Sequence, residues 1–185
     1  MGLLLLWPIF LVVAFLIKAE DGGAVFFRQE RVGRKGRSFR MWKFRTMIKD
    51  AERFGRAITV GGDPRITRVG HWLRATKVDE LPQLLNVWVG NMSLVGPRPE
   101  VKGYVDLYTE DQRKVLDLQP GITDLASVKY RRESEMLAIS SDPDRTYVEE
   151  IMPEKIRINL EYASQANLSR DFKVILMTLG FLPRR

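Results

Sequence analysis

Gly2 to Ile17 is a continuous apolar run, interrupted by Trp7-Pro8 and closed by Lys18-Ala19-Glu20-Asp21. As a straight helix these residues reach about 24 Å, short of the roughly 30 Å thickness of a bilayer's hydrocarbon. The run is therefore expected not to span. Pro8 removes a backbone donor and kinks a helix, which lipid tolerates where the chain bends back toward the face it entered. A re-entrant helix broken at Pro8 follows. A cleaved signal peptide would need a basic stretch before the run and a small-residue cleavage site after it, and both are lacking. A buried core helix stays open as the alternative, although a run apolar on every face beside a basic segment favours lipid.

Charge is distributed unevenly around that run. Residues 1–77 hold 16 basic and 6 acidic side chains, a balance of +10, whereas residues 78–185 hold 14 and 17, a balance of −3. The first part is suited to an anion. A nucleic acid, an anionic membrane surface and a phosphorylated substrate all meet that demand, and charge alone does not choose among them. The chain has no cysteine and one histidine, His71. Disulfides, zinc knuckles, iron–sulfur ligation and a thiol nucleophile are thus excluded, and a Ser-His-Asp hydrolase has nothing nearby to build on.

Strands are expected at residues 25–30 and 39–45, joined by the turn signal Gly33-Arg34-Lys35-Gly36. Helical spacing marks 46–57, 66–75, a segment from Asp79 through Val89, a helix capped by Thr109, then 146–164 bent by Pro153, and 169–182. The last carries Phe172, Ile175, Leu176, Leu179 and Phe181 as a broad apolar stripe, suited to core packing or to lying flat at a lipid interface. The fold class is α+β and mostly helical. Residues 1–20 are expected to form the membrane helix, with 21–185 a second domain carrying amphipathic interfacial helices.

Asp79-Glu80 is the constellation best suited to chemistry. The pair precedes Leu81-Pro82, and because proline is tolerated in a first helical turn, both carboxylates are expected at a helix N-terminus. Such a terminus favours carboxylate and attracts phosphate. An ionised aspartate attacks phosphorus if cations neutralise the phosphate oxygens. Lys43 and Arg45 on the second strand, Arg74, and Arg98 held between Pro97 and Pro99 are the candidates. A stiffly presented guanidinium grips phosphate oxygens bidentately. Two adjacent carboxylates also suit Mg²⁺, which commonly takes one or two of them plus substrate phosphates.

Four motifs occur in order: Lys43-Phe44-Arg45-Thr46-Met47, Lys77-Val78-Asp79-Glu80-Leu81-Pro82-Gln83-Leu84, residues 91–100 around Pro97-Arg98-Pro99, and Pro120-Gly121-Ile122-Thr123. With them the chain resembles the bacterial sugar transferases, the monotopic phosphoglycosyl transferases. The resemblance implies transfer of a sugar 1-phosphate from a UDP-sugar to polyprenyl (undecaprenyl) phosphate, releasing UMP and initiating surface glycan assembly. It implies a Mg²⁺-dependent enzyme at the cytoplasmic face of the bacterial inner membrane, among anionic lipids, with no nucleic-acid partner and with a homodimer left open. Asp79 would form an aspartyl-phosphosugar intermediate. Glu80 would assist through Mg²⁺, shared with Asp79, or by taking the acceptor's proton. Lys43, Arg45, Arg74 and Arg98 would bind phosphates.

The chain departs from the family pattern in three places. The basic, amphipathic stretch that precedes the apolar helix in relatives is missing, so the first arm of the re-entrant hairpin is expected to be incomplete. Val128 to Glu135 replaces an Asn-Gly-Arg-like stretch. Asn159 stands near where some members carry aspartate.

Overall fold

A computed structural model describes residues 2–51, 60 and 62–183. Helix α1 (Gly2–Asp21) leads into an antiparallel hairpin of β1 (Phe26–Val32) and β2 (Ser38–Phe44), in which Phe26 faces Phe44 and Val32 faces Ser38. The expected turn lies between them, with Gly36 at a φ of 72°, a conformation that costs glycine little. Helix α2 (Arg68–Thr76), a 3₁₀ turn at Val78–Glu80 and α3 (Gln83–Trp88) follow. Strand β3 (Ser93–Val95) precedes the short helices α4 (Lys102–Val105) and α5 (Glu110–Arg113), and it pairs in parallel with β4 (Gly121–Thr123). Helices α6 (Leu125–Lys129), α7 (Glu133–Ala138), α8 (Pro143–Thr146), α9 (Met152–Ala163) and α10 (Leu168–Leu179) complete the chain. The architecture is α+β and mostly helical, as the sequence leads one to expect.

Three local expectations are corrected. Residues 46–51 form no helix: Met47 bridges to Ile66, and the Thr46 carbonyl accepts from the Thr67 amide at 3.0 Å. A long-range backbone pairing here overrides helical periodicity; the remainder of that expected helix, 52–57, lies outside the described residues. The segment from Asp79 is likewise split. Pro82 has no N–H to offer the Val78 carbonyl, so the chain makes a 3₁₀ turn before α3 begins. In the C-terminal half, the distortion expected at Pro153 takes the form of a π turn over Tyr147–Ile151, just ahead of it, with Pro153 in the tolerant first turn of α9. Helix α1, by contrast, is assigned continuously through Pro8.

The far end of α1 is fastened to the rest of the chain. Val13 and Ile17 are buried against Phe44 of β2 and Leu73 of α2, and Phe10 meets Phe44 edge-on with ring centres 5.0 Å apart. Two carboxylates fix its last turn. Glu20 accepts from the Arg68 amide at 2.8 Å and from Val69 at 3.3 Å, meeting the unpaired N–H groups that begin α2. Asp21 is gripped by both terminal nitrogens of Arg45, whose Nε donates to the Ala24 carbonyl at 2.6 Å. Trp7, Leu11, Val12 and Phe15, on the rest of α1, remain exposed, as does Trp72 of α2. Among the described residues no helix is long and apolar enough to cross a membrane.

A second core joins the C-terminal helices, with Val105, Val115, Leu137, Tyr147, Ile151 and Ile156 buried together. Val174 and Met177 of α10 pack on Val128 of α6, and Thr178 bonds Thr123 of β4 at 2.6 Å. Leu168, Phe172, Leu179 and Phe181 of this C-terminal segment stay exposed. One glycine sets the spacing between the first core and the site. A Cβ on Gly70 would lie inside the van der Waals envelope of the Thr46 carbonyl. Gly70→Ala should therefore destabilise the fold by about 1–3 kcal/mol through overpacking, despite a helix-propensity gain near 1 kcal/mol. Chemical denaturation reads the difference, and unchanged or increased stability contradicts this account of the contact.

Candidate active site

The site starts at the end of α2. Lys77 caps that helix in the left-handed conformation, φ 60°, reversing the chain so that Val78–Glu80 turns back beneath it. The hairpin supplies the opposite wall. Asn86 of α3, only 1% exposed, accepts from the Trp42 amide and donates to the Arg40 carbonyl, both at 2.9 Å. Its side chain satisfies the outer edge of β2 as a third strand would. This tie sets the distance between Lys43 on β2 and the two carboxylates.

Arg98 arrives from the other side. Strands β3 and β4 approach so closely that a Cβ on Gly121 would collide with the Gly96 backbone. Beyond that contact, Arg31 Nη1 donates to the Pro99 carbonyl at 3.2 Å, and the Val32 amide donates to the Glu100 carbonyl at 2.8 Å. The Pro97-Arg98-Pro99 segment is thus held by both sheets. Its guanidinium meets Glu80 in a fork, Nη2 to Oε1 at 2.7 Å and Nη1 to Oε2 at 3.2 Å. Lys43 Nζ lies 3.4 Å from the same Oε1.

The two neighbouring carboxylates consequently differ. Burial alone would raise Glu80, but Arg98 and Lys43 outweigh it and hold this group well below the usual carboxylate range. Burial pushes Asp79 above its ordinary value, with Glu80 reinforcing the effect against the pull of Lys43, Lys77 and Arg74. Asp79 is only 6% exposed, and its Oδ1 has no hydrogen-bond partner among the described residues. An unpaired buried oxygen is costly to maintain and is unusual outside functional sites. Arg74 contributes a further cation; its Nε donates to Thr46 Oγ1 at 2.9 Å, and its Nη groups bond no described residue. Burial lowers Lys43 to about 8, more than the attraction of Glu80 offsets. Lys43, Arg74, Lys77 and Arg98 surround two carboxylates, leaving a cationic surplus suited to phosphate.

The family model for bacterial sugar transferases matches residues 1–184. The chain belongs to this family. A UDP-glucose:undecaprenyl-phosphate glucose-1-phosphate transferase of Caulobacter vibrioides is 38% identical over 178 residues, covering 95% of this chain and 62% of that protein. The transferase of the same name in Escherichia coli is 34% identical over 191 residues, covering 97% and 38%. A UDP-N-acetylgalactosamine-undecaprenyl-phosphate N-acetylgalactosaminephosphotransferase of Aeromonas hydrophila is 36% identical over 177 residues, covering 93% and 38%. The chain thus spans less than two thirds of the length of each of these relatives.

Of the residues singled out from the sequence of this family member, Lys43, Arg74, Asp79, Glu80 and Arg98 come together. Arg45 does not join them. Strand β2 ends at Phe44, and the Arg45 guanidinium turns to Asp21 and Ala24, where it anchors α1. Sequence reasoning missed Asn86, a buried polar residue within an otherwise apolar helical stretch. It also missed Gln83, which is fully buried one turn beyond Asp79, with neither amide atom hydrogen-bonded among the described residues. Asp124 was passed over as well; it caps α6 through the Ser127 amide at 2.8 Å and adds its charge to the environment of Arg98.

For Mg²⁺, no group of three or more acidic or histidine ligands occurs among the described residues. Asp79 Oδ1 is nevertheless an uncommitted buried oxygen beside Glu80, which fits a cation completed by substrate phosphates rather than by a full protein cage. The lowered Lys43 has a direct consequence for anion binding. Above pH 8 the folded protein loses this proton while an unfolded lysine would keep it, so the site sheds a positive charge. Sulfate, whose charge is constant across this range, should bind up to about fivefold more weakly at pH 9 than at pH 8, following the fall in the protonated fraction of Lys43, and Lys43→Met should remove that dependence. Calorimetric titration measures both; a pH-independent affinity in the unsubstituted protein overturns the role of Lys43.

Proposed function

We propose that this chain transfers a sugar 1-phosphate from a UDP-sugar to undecaprenyl phosphate, with Asp79 as the nucleophile, releasing UMP and initiating exopolysaccharide assembly. The observation that carries the reading is the unpaired, buried Asp79 Oδ1 within a ring of cations, in a member of this family. Relatives at 34% to 38% identity are named for such transfers from UDP-glucose and UDP-N-acetylgalactosamine.

In the first step an Asp79 oxygen attacks the phosphorus that carries the sugar, and the bond from that phosphorus to the bridging oxygen breaks. UMP departs with the bonding electron pair. In the second step a phosphate oxygen of the polyprenyl acceptor attacks the same phosphorus, and the Asp79 oxygen leaves as carboxylate. One set of cations serves both substrates in turn, so two anions need not be held together. Arg98, Arg74 and Lys43 hold the phosphate oxygens and stabilise their charge in the transition state. Glu80, kept ionised far below neutral pH, is a weak proton acceptor and a strong anchor for Arg98 and Lys43. Mg²⁺ held by Asp79, Glu80 and the donor's phosphates would neutralise negative charge on those phosphates.

Desolvation fits the role of Asp79. A carboxylate stripped of water and of hydrogen-bond donors is a better nucleophile than a solvated one, provided cations keep it ionised. The acceptor is lipid-borne, and exposed Trp7, Leu11, Val12 and Phe15 of α1, with Trp72 beside it, would sit in the membrane interface. On this reading the site works at the cytoplasmic face of the inner membrane.

Incubation with UDP-glucose, UDP-galactose or UDP-N-acetylgalactosamine and Mg²⁺, without acceptor, should add the mass of one phosphosugar to the intact chain and release an equal amount of UMP. Asp79→Asn should abolish both. Arg98→Ala should cost about 2–4 kcal/mol of transition-state stabilisation in kcat/KM. Turnover by Asp79→Asn near that of the unsubstituted protein, or an unchanged mass under productive turnover, overturns the covalent route.

A further inference from the structure

A pocket opens on the flank of the Pro97-Arg98-Pro99 segment that faces α9, bounded by Gly33 of the hairpin turn and by Pro120 ahead of β4. It contains about 500 Å³ of empty space, counting the solvent at its mouth. Apolar Val115, Leu118 and Ile156 form part of the wall, and Arg98, Glu100, Tyr108, Lys155 and Asn159 bring polar groups to it. Three of those groups are already committed, Arg98 to Glu80 among them. Glu100 accepts from the Tyr147 hydroxyl and pairs with Arg31 at 3.7 Å, and Lys155 pairs with Glu133 at 2.8 Å.

Tyr108 and Asn159 differ from them. Each is 7% exposed, each lines the pocket, and neither the Tyr108 hydroxyl nor the Asn159 amide has a hydrogen-bond partner among the described residues. A phenol offers one donor and accepts, and a carboxamide offers two donors and an acceptor, so both lack partners that can give and take protons. Neither group belongs to the enclosed unpaired atoms of the described residues, so both open onto the pocket, where a ligand's polar groups would replace water. A ligand bearing several hydroxyls, each both donor and acceptor, satisfies them; a purely apolar or purely anionic ligand does not.

We infer that this pocket holds the sugar ring of the donor, with Tyr108 and Asn159 reading its hydroxyls. The inference rests on the proposed transfer and extends it. Arg98 links the two places: its fork grips Glu80 next to Asp79, and the residue also lines the pocket. The phosphorus attacked by Asp79 carries the sugar directly, whereas the nucleoside is one phosphate farther away. The group expected beside Arg98 is therefore the sugar.

The test uses the full chain in detergent micelles, titrated with UDP, UDP-glucose, UDP-galactose and UDP-N-acetylgalactosamine. The unsubstituted protein should bind at least one UDP-sugar more tightly than UDP. Tyr108→Phe and Asn159→Ala should each weaken that UDP-sugar about tenfold, the loss of one buried hydrogen-bond partner, while leaving UDP within twofold. Tyr108→Phe keeps the ring that packs in the core, so a failure to fold does not obscure the result. Equal weakening of UDP and UDP-sugars overturns the inference in favour of a nucleoside pocket, and unchanged affinities, or no preference for any UDP-sugar over UDP, overturn it outright. Sugar-dependent binding without a phosphosugar adduct on Asp79 would instead remove the proposed function and leave the pocket standing.

Discussion

The fork between Glu80 and Arg98 is the contact on which the rest of the site depends. It joins a 3₁₀ turn following α2 to a loop following β3, two segments brought into register by Asn86 on one side and by the Gly96–Gly121 contact on the other. Neither charge is comfortable alone at this depth, since removing one partner of a buried ion pair strands the other. With both present, Glu80 is held ionised and Lys43 is drawn in beside it. Asp79, one residue away, receives no such bond. The same local geometry therefore produces one anchored carboxylate and one exposed to electrostatic attraction without any fixed partner, the division of labour that acid–base and nucleophilic sites repeatedly exploit.

A second constraint is mechanical. The proposed transfer brings together a water-soluble donor and a lipid-borne acceptor, so the cationic site must be set at a fixed height relative to an apolar surface. Helix α1 provides that surface, and its last turn is tied down by Glu20 on α2 and by Arg45 on Asp21. Helix α2 in turn carries Arg74 into the site and abuts Thr46 through Gly70. The apolar helix, the hairpin and the clustered cations are consequently linked through a few short contacts rather than through a flexible connection. Arg45 illustrates the economy of this arrangement: a cation two residues beyond Lys43 is used to orient the helix.

Much of the site was legible before any coordinates. The strand–turn–strand pattern, the cap at Thr109 and the paired carboxylates ahead of a proline are local signals, and local chemistry decides them. Lys43, Arg74 and Arg98 were recognisable as cations in search of an anion. Their convergence on Asp79 and Glu80 was not derivable from spacing, because it rests on pairings across tens of residues. Residues 46–51 show the limit most clearly: helical periodicity was present, yet backbone bonds to Arg65 and Thr67 took precedence.

The sequence by itself determined that the chain is an α+β protein with an apolar leading helix, a cationic first part and a carboxylate pair at a turn. These follow from side-chain type and from interactions within a few positions. Only the tertiary structure decided which carboxylate is paired and which is bare, that Arg45 serves α1 rather than the site, and that Tyr108 and Asn159 meet at one pocket. Burial and partner choice are properties of the packed chain: a side chain's charge state and hydrogen bonding depend on what is brought against it, and that information is written in no single stretch of residues.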